Sequence, residues 1–307
     1  MGPILYTMYA EPIGAIIRKH GLRYHIYADD TQIYVFFDMD GVDDVVARVE
    51  ACAAEIRMWM RANLLKLSDG KTEVLFITRK GTTPITTPVT IGDSSVQPVK
   101  KVRNLGVLFD DCMKMEPQIS AMCSAGHFHL RNIGTIRKYL TVESAECLVH
   151  AFITARLNNG NALLYGVPKF QVARLQRMQN VAARVVTRTS RTDHITPVLK
   201  SLHWLPVQYR IQYKLLLLTF KALHGLVPSY LSDLLKPYLP SRQLRSASQH
   251  LLTVPKTRYV TVGDRSFTKA GPVLWNSLPL QLRSCAILNS YKQQLKTYLF
   301  RLAYPVL

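Results

Sequence analysis

The chain has 307 residues, 48% of them hydrophobic, and its 39 Lys/Arg against 20 Asp/Glu give a formal net charge of +19 at pH 7. That length predicts two or three folding units, with ample apolar content for buried cores. Membrane helices are excluded as an expectation, because no run reaches the roughly 18 charge-free apolar residues that one needs.

The segment Pro3–His20 predicts a helix, with Ile4, Leu5, Met8 and Ile16 among its apolar positions and Gly21 as its stop. Two β-prone runs follow, Leu22–Tyr27 and Thr31–Phe37, separated by Ala28-Asp29-Asp30. From about Val42 to Leu64 an amphipathic helix is written by Val42, Val45, Val49, Cys52, Ile56 and Trp59. Asp43 and Asp44 in its first turn complement the helix dipole. Thr72–Thr78, Val89–Ile91 and Val102–Phe109 read as strands, with Gly92-Asp93 and Gly106 as punctuation. Residues 1–114 therefore predict an α+β unit: a hairpin and a small antiparallel sheet with helices.

From about Met115 the pattern turns helical, over 117–138, 142–156, 168–189 and 206–224. A helical unit over 115–200 is expected, then a helical and loop-rich one over 201–307. In the 168–189 helix, Leu175, Met178, Ala182 and Val185 form the buried stripe, and Arg174, Arg177, Arg184 and Arg188 lie on an adjacent face. Such a face is either a solvated flank or a track for phosphates. The 206–224 helix is apolar nearly all round. Residues 225–260 are loop-rich, carrying Pro228, Pro237, Pro240 and Pro255, and a last helix runs from about Ser290 to Ala303.

Five cysteines without a CxxC pair argue for reduced thiols. Cys123, His127, Cys147 and His150 could be imagined as a zinc set, yet they fall on predicted helices among apolar neighbours and read as ordinary core residues. The N-terminus shows no basic n-region of a secretory signal, so an intracellular chain, nuclear or cytoplasmic, is expected. Charge is unevenly spread. Residues 1–116 hold 14 Lys/Arg and 15 Asp/Glu, whereas residues 117–307 hold 25 and 5. An acidic centre followed by a polycation fits a metal site beside a surface that grips a polyanion.

Tyr27-Ala28-Asp29-Asp30 is where the acidic chemistry concentrates. Two adjacent carboxylates at the tip of an apolar hairpin repel each other unless a cation sits beside them. Flanking strands hold such a turn in the fixed geometry that a divalent metal requires. The same four residues also fit a plain hairpin turn.

In order along the chain stand Gly2-Pro3-Ile4-Leu5-Tyr6, Tyr27-Ala28-Asp29-Asp30-Thr31-Gln32, Trp59-Met60 with Asn63-Leu64-Leu65-Lys66-Leu67, and Lys71-Thr72-Glu73. Asn104-Leu105-Gly106-Val107, Asn161 to Gly166, His194 through His203-Trp204-Leu205-Pro206, and Trp275 to Pro279 complete the series. By these motifs the whole chain resembles the C-terminal half of the reverse transcriptase of non-long-terminal-repeat (LINE-type) retrotransposons. The resemblance implies a partial polymerase palm, then a helical thumb and a C-terminal domain. It implies that Asp29 and Asp30 are catalytic carboxylates that ligate Mg²⁺, with Tyr27 and Ala28 packed near the primer terminus. Lys71, as the lysine after the long palm helix, would neutralise or protonate pyrophosphate; it also fits an ordinary surface lysine. Leu105-Gly106-Val107 would be the primer grip. The helix bearing Arg174, Arg177, Arg184 and Arg188 would hold an RNA–DNA hybrid by its backbone. Partners would be an RNA template, a DNA primer and dNTPs.

Members of that family carry another metal-binding aspartate upstream of the Tyr-Ala-Asp-Asp turn, and here Glu11 is the sole acid before Asp29. Asn158-Asn159-Gly160 also departs from the usual Asp-Tyr-Cys. The expectation is an RNA-directed DNA polymerase fragment, a nucleotidyltransferase by descent that is inactive alone, with Mg²⁺ held weakly or not at all. The alternative is a basic, non-enzymatic protein that binds RNA–DNA hybrids.

Overall fold

The computed structural model describes residues 2–79, 81–239, 249–257 and 262–305. It is an α+β structure whose strands form two-stranded sheets. The chain divides into two compact units, residues 1–102 with 110–112 and residues 103–109 with 113–307.

In the first unit α1 (Gly2–Tyr9) and α2 (Glu11–Lys19) replace the single helix expected over 3–20. Pro12 in the first turn of α2 explains the break, since its ring excludes the carbonyl four residues back and it supplies no N–H. Gly21, at φ +68°, stops α2 as expected. The hairpin β1 (Arg23–Tyr27) and β2 (Asp30–Tyr34) follows, paired from Arg23 opposite Tyr34 to Tyr27 opposite Asp30. Next comes α3 (Val42–Ala62), whose buried residues Val45, Val46, Cys52, Ile56 and Met60 recur at helical spacing. Ile13 and Ile17 of α2, Leu22, and Cys52, Ile56 and Met60 of α3 form one core, against which Tyr24, Ile26 and Ile33 of the hairpin pack. Ile17 is fully buried, a side chain that contributes about 1.5–3 kcal/mol.

A second cluster joins Val46 of α3 to Val89 and Ile91 of β3 (Val89–Ile91), which pairs with β4 (Ser94–Val96). Two strand expectations are corrected. Thr72–Thr78 forms no strand; Val74 makes only an isolated bridge to Pro98, while Val74 and Phe76 pack on the Val46 cluster. Residues 102–109 are a fold-back rather than one strand, with β5 (Lys101–Asn104) paired to β6 (Val107–Asp110).

The second unit is helical. Its elements are α4 (Glu116–Ile136), α5 (Val142–Val149), a π turn (His150–Thr154), α6 (Ala155–Asn158), α7 (Lys169–Thr187), α8 (Ile195–Ser201), α9 (Val207–Leu223) and α10 (Ser229–Ser232). Three more follow: α11 (Phe267–Asn276), α12 (Leu280–Arg283) and α13 (Leu288–Ala303). One core runs from Val107 through Ile119, Ile153, Leu175, Met178 and Ile211 to Tyr304. A second gathers Leu216, Phe220, Trp275, Tyr291 and Leu295. On α7 the core-facing stripe is Leu175, Met178, Ala182 and Val186; Val185, expected there, is half-buried. No helix among the described residues is long and apolar enough to cross a membrane.

Candidate nucleic-acid and metal site

The acidic tip is built by register. Because Tyr27 pairs with Asp30, only Ala28 and Asp29 form the loop, a two-residue hairpin turn. Ala28 has φ +53° and Asp29 is not in the left-handed region. Positive φ at the first loop position alone is the type II′ pattern, in which glycine is the favoured residue. Alanine there costs about 1–2 kcal/mol of backbone strain, and strain of this size gathers at functional turns. Asp29 and Asp30 are both exposed.

Alternation divides the hairpin into two faces. Tyr24, Ile26 and Ile33 pack on the α2–α3 core. Arg23, His25, Tyr27, Asp30, Gln32 and Tyr34 share the other. There His25 stacks on Tyr34 at 5.4 Å between ring centroids, and Arg23 lies 5.4 Å from the centre of the Phe36 ring. Tyr27 and Phe36 are 68% and 77% exposed, so the acidic tip borders an open aromatic surface. Sequence reasoning singled out Tyr27 but missed His25, Tyr34 and Phe36, whose alternation with core residues carries the signal.

Lys71 ends a 3₁₀ turn and is exposed, its backbone N–H donating to Ser68 O at 3.0 Å. No ion pair joins it to Asp29 or Asp30 among the described residues. Leu105 and Gly106 form the tip of the β5–β6 hairpin with φ +45° and +81°. Positive φ at both loop positions is the type I′ pattern, which Gly106 meets without cost and Leu105 does not. Leu105 projects with 53% of its surface exposed, whereas Val107 is buried. Beneath it, Gly160 also has φ +60°, and a Cβ there would meet Val107 Cγ2 at 2.9 Å.

The four arginines of the α7 face are not equivalent. Arg174 donates to Gln171 Oε1 at 2.9 Å and Ser120 Oγ at 3.0 Å. Arg184 donates to the carbonyls of Ser190 (3.0 Å) and Asp193 (2.9 Å). Arg188 stands just past the helix at φ +58° and donates to Arg137 O at 3.0 Å. Arg177 is exposed. Neutral acceptors fix a guanidinium in place without cancelling its charge, so these arginines form an oriented basic surface. The buried Arg137, which sequence reasoning did not single out, underlies it: Nε donates to Val185 O (2.7 Å), Nη2 to Val186 O (2.6 Å) and Nη1 to Leu140 O (2.7 Å).

The tryptophan-bearing segments near 204 and 275 are scaffolding. Trp204 is buried, and its carbonyl accepts from Tyr304 Oη at 2.7 Å. Trp275 donates from Nε1 to His250 O at 2.8 Å. Asn276 clamps Leu252 by accepting from its N–H and donating to its carbonyl, both at 2.8 Å. Cys123 is buried, and that burial pushes its thiol up, away from the thiolate that zinc needs. His127, Cys147 and His150 are exposed, so the expectation of core residues holds for Cys123 alone.

Among the described residues no group of three or more His, Cys, Asp or Glu side chains is arranged to hold a metal ion. Asp29 and Asp30 nonetheless suit Mg²⁺ as a donor set, because that ion keeps several waters and takes one or two carboxylates beside substrate phosphates. Compared with family models, curated proteins and solved structures, the chain gives no match.

Proposed function

We propose that the chain carries the acidic hairpin and the thumb-like part of an RNA-directed DNA polymerase of the LINE type, and that it binds RNA–DNA hybrids. The observation that carries this reading is the strained Ala28 turn, which presents Asp29 and Asp30 from an open aromatic face. The basic second unit supports it. Asp29 and Asp30 would hold Mg²⁺. Bound there, the ion would lower the pKa of a primer 3′-hydroxyl and offset charge on departing pyrophosphate.

The protein residues position the substrate. Tyr27 offers a ring beside the carboxylates. Leu105, at the tip of its own hairpin in the second unit, offers an exposed apolar contact for nucleic acid. Arg174, Arg177, Arg184 and Arg188 neutralise phosphates along the duplex, which fits recognition by backbone and A-form shape. Lys71 would supply charge near pyrophosphate.

A second reading has its own support: no third carboxylate joins Asp29 and Asp30 among the described residues. On that reading the protein binds the hybrid without extending it. Primer extension on poly(rA)/oligo(dT) with Mg²⁺ or Mn²⁺ separates the two. Incorporation abolished by Asp29→Ala identifies the polymerase. Hybrid binding that survives Asp29→Ala without incorporation, but falls when the four arginines become Gln, identifies the binder. Absence of both activities refutes both readings.

A further inference from the structure

Past the C-terminus of α7 the structure holds a second arrangement, which shares Arg188 with the proposed duplex-tracking face and adds an exposed aromatic ring. Tyr139 is 78% exposed, a large aromatic left in water at the end of the 3₁₀ turn that follows α4. The Lys138 ammonium sits 4.8 Å from the centre of its ring. Arg188 reaches across to the same turn, donating to Arg137 O at 3.0 Å and Lys138 O at 3.4 Å. It does so from the left-handed backbone region, φ +58°, where a non-glycine residue is strained. The adjoining loop is also ordered by a cation, since Arg184 holds the carbonyls of Ser190 and Asp193 with Arg191 exposed between them.

The local acids make no ion pair with this patch among the described residues. Asp193 accepts from Ser190 N–H at 3.2 Å, and Glu143, held below the usual carboxylate range by its own backbone N–H and the Thr141 hydroxyl, is ionised but bonded locally. Among the described residues, Lys138, Arg184, Arg188 and Arg191 have no ion pair. An exposed ring with one cation against it and a second bonded to the same turn matches the chemistry that takes an unpaired base on the ring and its phosphates on the flanking charges.

We infer that Tyr139, with Lys138 and Arg188, is a binding site for single-stranded nucleic acid, the ring stacking one base. The site rests on the basic second unit being a nucleic-acid surface, but not on polymerase activity. A duplex keeps its bases stacked internally, so a hybrid engages the cations and leaves the ring unused.

The test is fluorescence anisotropy on the full chain with labelled dT20, rU20 and a 20-base-pair RNA–DNA hybrid across a salt series. Tyr139→Ala is expected to weaken single-strand binding about 10-fold and to leave the hybrid unchanged, with Tyr139→Phe close to wild type. Lys138→Gln and Arg188→Gln should each lessen the salt slope for single strands by about 0.7. Comparison of dT20 with rU20 tells whether DNA or RNA is preferred. No single-strand binding by the wild type, a Tyr139→Ala protein that binds as the wild type, or equal losses for single strand and hybrid would overturn the inference. Tyr139-dependent single-strand binding in a protein that neither binds nor extends a hybrid would uphold it while removing the proposed function.

Discussion

Replacing Arg137 with Met keeps the buried stem and removes the guanidinium, leaving three carbonyls without their donor. Val185 and Val186 lie in the last turn of α7, where carbonyls have no partner within the helix. Arg137 satisfies both and sets a positive charge at the negative end of the helix dipole, while its third bond closes on Leu140 O. Each buried acceptor left unsatisfied costs about 1–3 kcal/mol. The low end applies to the two helix-end carbonyls, which water can reach once the head group is gone. The expected loss is therefore about 3 kcal/mol. Arg137→Lys keeps the charge but not the fork, and should lose about half of that. The assay is urea unfolding by tryptophan fluorescence in a Trp59→Phe background, so that the signal comes from Trp204 and Trp275 of the second unit. With a slope of about 2 kcal/mol per M, the midpoint for Arg137→Met should fall by about 1.5 M. A shift below about 0.25 M, or a Lys variant as unstable as the Met variant, would refute the assignment of this arginine as a helix-end clamp.

Ala28→Gly relieves a strain of about 1–2 kcal/mol and adds chain entropy worth about 0.5–1 kcal/mol to the unfolded state. A net gain of about 0.5–1 kcal/mol in denaturant unfolding of the first unit is the expected result, and a loss would contradict the turn geometry. Glu55 joins α3 to α2 through Lys19 and His20, each at 2.8 Å, and those bonds, Lys19 first, hold its carboxyl below the ordinary value of 4.5. A depressed carboxylate contributes stability above its unfolded pKa and loses it as pH falls through the folded one. Glu55→Gln should thus be less stable than wild type at neutral pH, with the difference shrinking as pH falls past 4.5 and gone once it is below the depressed folded value; a difference that persists at pH 2 would count against the link.

What was legible in the sequence was whatever a single stripe or a single turn encodes. Val45, Cys52 and Ile56 wrote α3, and Asp29-Asp30 between two β-prone runs wrote the hairpin. The failures share a cause, in that local signals were outvoted by partners remote in sequence. Val74 and Phe76 alternate like strand residues, yet they pack singly on α3. Likewise the α7 arginines look like one solvated face until Ser120, Ser190, Asp193 and Arg137 take up their hydrogen bonds. The positive φ at Ala28 and Leu105 had no signal, since neither is the residue those turns favour.

The π turn at His150–Thr154 has a meaning for how this chain can change. Ala145, Val149, Ile153 and Leu157 are all buried, four residues apart each time. In an α-helix every such step overshoots a full turn by about 40°, so the row would wander off the core without one wider turn to bring it back. Losing the half-exposed Phe152 would leave intervals of four, three and four, which an ordinary α-helix already keeps on one side. The segment is therefore one deletion away from regularity, and a shortened sequence could dock on α4 and α7 with its flanks unmoved.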